Sequence, residues 1–317
     1  MVIDAHNHIG IEWINYLLGD HPYAQSLEDL FIKARSTPVT HWVAFPFVSY
    51  AREFPALTPD AGDIFSEVPY ALANLRLLEE VQRDAEEKPR AVLPFVMVDP
   101  ERDVHKQVKA LRKMSESHSI FGIKVQSTII QSRIARLMDE SKALVDLAAE
   151  WDVPMLIHSS IHPEDAWSQC SDILAVAESR PEVRFVLAHS CRFHRPSLDR
   201  IAELSNAWFD CSAHRIHCQL AVGDSLAVAR TEDRFVSDYR NPAEVLRDLY
   251  ESYPNKLIWG TDSPYYSWRS SRGELPESFL SSYEGEWDCV EALPVAGRKA
   301  VTSGNTLAWL GIEECDV

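Results

Sequence analysis

The stretch M-V-I-D-A-H-N-H-I-G, Met1–Gly10, opens the chain, and whether it is one strand among many decides the fold. Val2, Ile3 and Ala5 make a short β-favouring run that Gly10 closes, so residues 2–8 read as a strand. Side chains two apart on a strand leave from the same face. His6 and His8 therefore project together from its C-terminal end, close enough for both imidazoles to reach one ion. On a helix the same spacing would turn them apart. In a chain with 12 His, one H-x-H is a weak signal by itself. Its weight depends on how the later strands end.

Seven further apolar runs follow, at residues 40–48, 91–98, 121–126, 153–158, 183–189, 207–211 and 256–262. Helix signals alternate with them. Ser26 reads as the N-cap of a helix over 27–35, and helical spacing returns at 68–87, 101–115, 134–151, 163–179, 196–204 and 242–253. Two last helical pieces fall at 286–293 and 298–310. Continuous apolar runs suit strands buried on both faces of a parallel sheet. Eight of them, each followed by a helix, predict an α/β protein, a (β/α)8 TIM barrel, as one domain over 1–317. A doubly wound open sheet is the rival, but it has fewer strands and no reason to return to the first. The residues beyond the roughly 250 of a plain barrel fall after strands one, two, seven and eight. Those extended loops all open on the C-terminal face, where barrel enzymes build their sites.

The bulk numbers narrow the class. Hydrophobic residues make up 46% and charged residues 25%, ordinary for a globular protein. The longest uncharged apolar run, 42–48, is too short to cross a bilayer, and no basic leader precedes the first strand, so no membrane contact is expected. Cys170, Cys191, Cys211, Cys218, Cys289 and Cys315 form no regular framework, which fits free thiols and a cytoplasmic location. A net charge of −17 excludes nucleic acid as an expected partner, but not a small anion met by a local cluster of cations.

Three later strands end in a metal-capable residue: V-P-M-L-I-H at His158, R-F-V-L-A-H at His189 and L-I-W-G-T-D at Asp262. Histidines and one carboxylate on a single rim suit a divalent ion, Zn2+ ahead of Mn2+ or Fe2+. This set, together with the G-I-K stretch, G-T-D-S-P and the terminal G-N-T-L-A-W-L-G, resembles the amidohydrolase superfamily. The nearest likeness is its amidohydrolase-related branch, which includes aminocarboxymuconate-semialdehyde decarboxylase and several lactonases and hydrolases. The resemblance implies His6, His8, His158 and Asp262 as ligands of a mononuclear site, with His189 beside the activated water. In binuclear relatives the His189 position binds a second metal, and a carboxylated Lys on strand four bridges the pair. Lys124 stands on that strand, either as such a bridge or as an amine facing a substrate anion. H-S-C-R-F-H after strand six departs from the branch and brings Arg192 and His194 towards the site.

A divalent ion lowers the pKa of bound water, and Asp262 is the natural general base, with His189 polarising a carbonyl. Those parts would hydrolyse an amide, lactone or ester. They would equally run a non-oxidative decarboxylation of an aromatic or unsaturated acid. Substrate choice is expected in the loops, where Arg52, Arg192, Trp268 and Arg269 suit a small, carboxylate-bearing, planar molecule. Loop aromatics serve equally a pocket or a homodimer interface. His214 and His217 read as loop residues rather than ligands, and Asp210 as structural or as a support behind the ligands.

Overall fold

The computed structural model describes residues 1–47, 68–87, 91–270 and 278–313. Its main sheet runs β1 (Ile3–Ile11), β3 (His41–Pro46), β4 (Ala91–Val98), β5 (Gly122–Val125), β6 (Met155–Ile157), β7 (Phe185–Leu187), β8 (Ala207–Asp210) and β9 (Leu257–Ile258), all parallel and in sequence order. A short antiparallel strand, β2 (Ala24–Gln25), caps β1 at the outer end. The sheet closes on itself. Ala5 N–H donates to the Trp259 carbonyl at 3.2 Å and His8 N–H to that of Ser263 at 2.7 Å, joining the first strand to the segment after the last. This is the (β/α)8 barrel.

Alternation along each strand sorts the core into two layers. On β4, Leu93, Phe95 and Met97 fill the barrel, while Val92, Val96 and Val98 pack outward on the helices. On β6, Leu156 points in, and Met155 and Ile157 point out. Burial on both sides is why the strands read as unbroken apolar runs. Gly122 on β5 is required by packing, because a Cβ there would meet the Phe95 ring at 2.2 Å.

The helices largely fall where expected. Ser26 caps Leu27–Ala34 in a capping box with Asp29. The predicted helix over 163–179 starts only at Cys170, because Asp165 accepts from Trp167 N–H (2.9 Å) and Ser168 N–H (3.0 Å) and holds a turn instead. The run over 134–151 divides into a tight turn, Ile134–Met138, and a helix, Lys142–Glu150. The expectation that His214 and His217 lie in a loop is corrected: both sit on a buried helix, His214–Val222, that follows β8. A two-stranded ribbon, β10 (Trp268–Arg269) with β11 (Ser278–Phe279), stands after the last barrel strand. Among the described residues no helix is long and apolar enough to cross a membrane, and five cysteines are free and buried.

The helix Tyr283–Glu291 carries a buried acid, Glu286, that accepts from Ser281 Oγ at 2.7 Å. Burial outweighs that bond and the nearby Arg215, and its pKa rises from 4.5 to about 8. A carboxyl raised in the folded state stabilises most below its unfolded pKa and loses that contribution as pH climbs through the folded value. Stability should therefore fall from near pH 4.5 to near pH 8, by up to about 1.4 kcal/mol per unit. Glu286→Gln should flatten the slope in denaturant titrations at several pH values.

Candidate metal centre

The placement of His6 and His8 depends on an irregularity in β1. Its register with β3 shifts between Asp4 and Asn7, a β-bulge. Ile3 and Ala5 belong to the inner core, so plain alternation would send His6 and His8 outward. The extra residue turns them in, edge-on to the Phe45 ring at centroid distances of 5.0 and 4.7 Å. Space for His6 is supplied by Gly260, where a Cβ would come 2.8 Å from the Cβ of His6.

Around this pair the other strand ends converge. His6 Nε2 lies 3.2 Å from Asp262 Oδ1, and His8 Nε2 lies 3.1 Å from the same oxygen. His189 Nδ1 is 3.8 Å from Asp262 Oδ2. His158 Nδ1 is 3.0 Å from His189 Nε2. Lys124, fully buried, brings Nζ to 3.4 Å from His6 Nε2. His6, His189 and Asp262 each offer one ligand atom within 4.8 Å of the others, the geometry of a candidate metal-binding triad. All three are buried.

Asp210, expected as structural or as a support behind the ligands, stands directly behind His6. Its Oδ2 accepts from His6 Nδ1 at 2.8 Å, while Oδ1 takes His189 N–H (2.9 Å), Ser212 N–H (2.9 Å) and Ser212 Oγ (2.5 Å). It ends an apolar strand at the same rim as Asp262, so the same signal marks it. Because Asp210 holds the proton of His6 on Nδ1, Nε2 presents a lone pair to the Asp262 carboxylate. Two acceptors 3.2 Å apart are satisfied by a shared proton, by the Lys124 ammonium beside them or by a metal ion. Burial and Lys124 push His6 down, yet Asp210 and Asp262 outweigh them and raise its pKa. Burial would raise Asp262, but His6 and the imidazole hydrogen bonds hold it well below the usual carboxylate range. Burial also pushes His8 down to about 4 and, with Arg192, drives His158 and His189 well below their ordinary value, leaving these imidazoles neutral. Neutral imidazoles and an ionised carboxylate are the donor set a divalent ion takes. Burial lowers Lys124 to about 7, against Asp210 and Asp262.

The amidohydrolase family model matches residues 3–312. The chain belongs to the amidohydrolase family. Solved structures of similar fold include an amidohydrolase from Burkholderia multivorans with bound HEPES, 14% identical, with a TM-score of 0.64 over 99% of this chain and 100% of that one. A 2,6-dihydroxybenzoate decarboxylase from Rhizobium is 12% identical, TM-score 0.59, over 98% of both chains. A 4-oxalomesaconate hydratase from Rhodopseudomonas palustris is 15% identical, TM-score 0.59, over 98% of this chain and 96% of that one. At such identities the likeness establishes the fold alone. A search of curated proteins finds no match.

The remaining expected contacts divide. Arg192 enters the centre: Nη2 donates to His158 Nε2 at 3.0 Å and Nε to the Ser159 carbonyl at 2.9 Å. His194 does not, its Nδ1 pairing with Ser197 Oγ at 2.8 Å. Trp268 stacks on Tyr265 (6.4 Å), which meets the His8 ring edge-on at 5.0 Å. Arg269 is exposed, and its backbone pairs with His21. Arg52 lies outside the described residues, as does Cys315. His217 is the functional neighbour that sequence reading set aside: its ring stands 4.9 Å from that of His189, and its Nε2 meets Arg192.

Proposed function

We propose that this amidohydrolase-family protein is a metal-dependent hydrolase of a small, carboxylate-bearing amide, lactone or ester. His6, His8, His158 and Asp262 would hold the ion, with Zn2+ ahead of Mn2+ or Fe2+, His158 exchanging the bond it accepts from Arg192 at Nε2 for the metal. The convergence of ligand atoms from His6, His189 and Asp262 within 4.8 Å of one another carries this reading, since imidazoles and a carboxylate at that spacing are a metal donor set. Bound there, a divalent ion supplies Lewis-acid polarisation and a lowered water pKa. Asp262 accepts the proton of the attacking water. His189, fixed through Ser212 and Asp210, sets its ring towards the substrate carbonyl. Arg192 binds the substrate carboxylate, and Trp268, with Arg52 and Arg269 from the loops, completes the contacts. Lys124 serves as a carboxylated bridge to a second ion bound by His189, or as an amine to a substrate anion.

A second reading, non-oxidative decarboxylation, draws on the two buried or half-buried cations, Lys124 and Arg192, flanking the centre. They would hold a carboxylate there while Asp262 or His189 protonates the carbon that loses CO2. Turnover of lactones, aryl esters and hydroxybenzoates in 18O-water separates the two. Label in the product carboxylate supports hydrolysis; CO2 release without label decides for the lyase.

A further inference from the structure

Arg192 is held in an unusual way. His189, Ser190, Cys191, Arg192 and Phe193 all have left-handed backbone angles, φ 62°, 48°, 48°, 56° and 61°, with no glycine among them. L-residues without glycine's freedom adopt this conformation at a cost, and strain of this kind concentrates at functional sites. The segment forms a tight turn of three residues per turn, so residues three apart stack on one side. His189 and Arg192 thereby face the centre together.

The partners of this guanidinium are all neutral. Part-buried Arg102, Arg180, Arg184 and Arg234 each meet a carboxylate, at 2.9, 2.8, 2.8 and 2.7 Å. No carboxylate among the described residues lies within 4.0 Å of Arg192, although it is half-buried. Its Nε, Nη2 and Nη1 donate instead to the Ser159 carbonyl, His158 Nε2 and His217 Nε2. Of the five N–H donors of an arginine, the rest make no contact with a carboxylate among the described residues, and Asp262, Asp165 and Asp210 meet the charge only at longer range. The tautomer of His217 suits this. Its Nδ1 lies 2.9 Å from the Ala213 carbonyl, which can only accept, so the proton sits on Nδ1 and Nε2 is a free acceptor. The buried helix His214–Val222 fixes that acceptor in place.

We propose that His217 is a positioning residue: its Nε2 clamps Nη1 of Arg192 and aims the guanidinium at the carboxylate of the substrate. This rests on the reading that a carboxylate-bearing molecule enters the barrel mouth, and it adds the residue that orients the cation for it. Calorimetric titration of the zinc-loaded full chain with benzoate, and with neutral benzamide as control, tests it. Wild type should bind benzoate more tightly than benzamide. His217→Phe should weaken benzoate about tenfold and leave benzamide unchanged, whereas His217→Gln, whose Oε1 can accept from Arg192, should stay within about threefold of wild type. On an Arg192→Gln background, His217→Phe should have no further effect on benzoate. Equal losses for both probes, an additive loss in the double variant, or wild type that does not prefer benzoate would each overturn the proposal. Metal content measured on the same samples separates the failures. Wild type that retains none of Zn2+, Mn2+ or Fe2+ would sink the hydrolase reading, while the benzoate comparison, repeated on the metal-free chain, would still decide the role of His217.

Discussion

Asp262→Asn should strip the protein of its divalent ion and reduce turnover by about a thousandfold or more. The substitution is unusually clean here. Asp262 sits at φ 61°, a left-handed conformation that Asn tolerates as well as Asp. Volume and backbone preference are therefore conserved, and what changes is the charge. Two imidazole nitrogens, His6 Nε2 and His8 Nε2, lie 3.2 and 3.1 Å from one oxygen of this carboxylate. A neutral amide would leave the ion without its anionic ligand and the water without a base. Metal content by elemental analysis after dialysis, alongside the Tm, checks it. Full metal retention in a folded variant would mean that Asp262 is no ligand.

Asp210→Asn should weaken metal binding by about 10–100-fold and destabilise the fold by about 1–3 kcal/mol without touching the ion. Four donors converge on Asp210, three on Oδ1 and His6 Nδ1 on Oδ2. An amide has one oxygen to offer. If that oxygen faces Ser212 and His189, the amide N–H confronts His6 and drives its proton to Nε2, where a ligand lone pair is needed. If it faces His6, three N–H and O–H donors meet an NH2 group. Either choice costs, and competition with a chelator together with denaturant unfolding measures both. Unchanged metal affinity would show that the tautomer of His6 is set elsewhere.

The barrel was legible because burial on both strand faces writes itself as unbroken apolar runs, and because His158, His189 and Asp262 end three of them. Other features leave no such mark. The bulge between Asp4 and Asn7 has no glycine, so the inward turn of His6 and His8 came from tertiary pairing with β3. The left-handed run His189–Phe193 likewise contains no Gly, Asn or Asp to announce it. H-S-C-R-F-H announced that Arg192 was out of pattern, but not where its guanidinium would point. His217 was passed over because a His after a strand end carries weight only when its helix is known to turn it inward. Asp165 shortened a helix through a local turn that competes with helical hydrogen bonding, a contest propensity alone does not decide.

X-ray absorption at the zinc edge of the metal-loaded protein tests the central claim most directly. Convergence of His6, His8, His158, Asp262 and His189 predicts nitrogen and oxygen neighbours at about 2.0–2.2 Å, with the outer-shell scattering of several imidazoles and no sulfur. A shell of oxygens without imidazole scattering, or one containing sulfur, would contradict it.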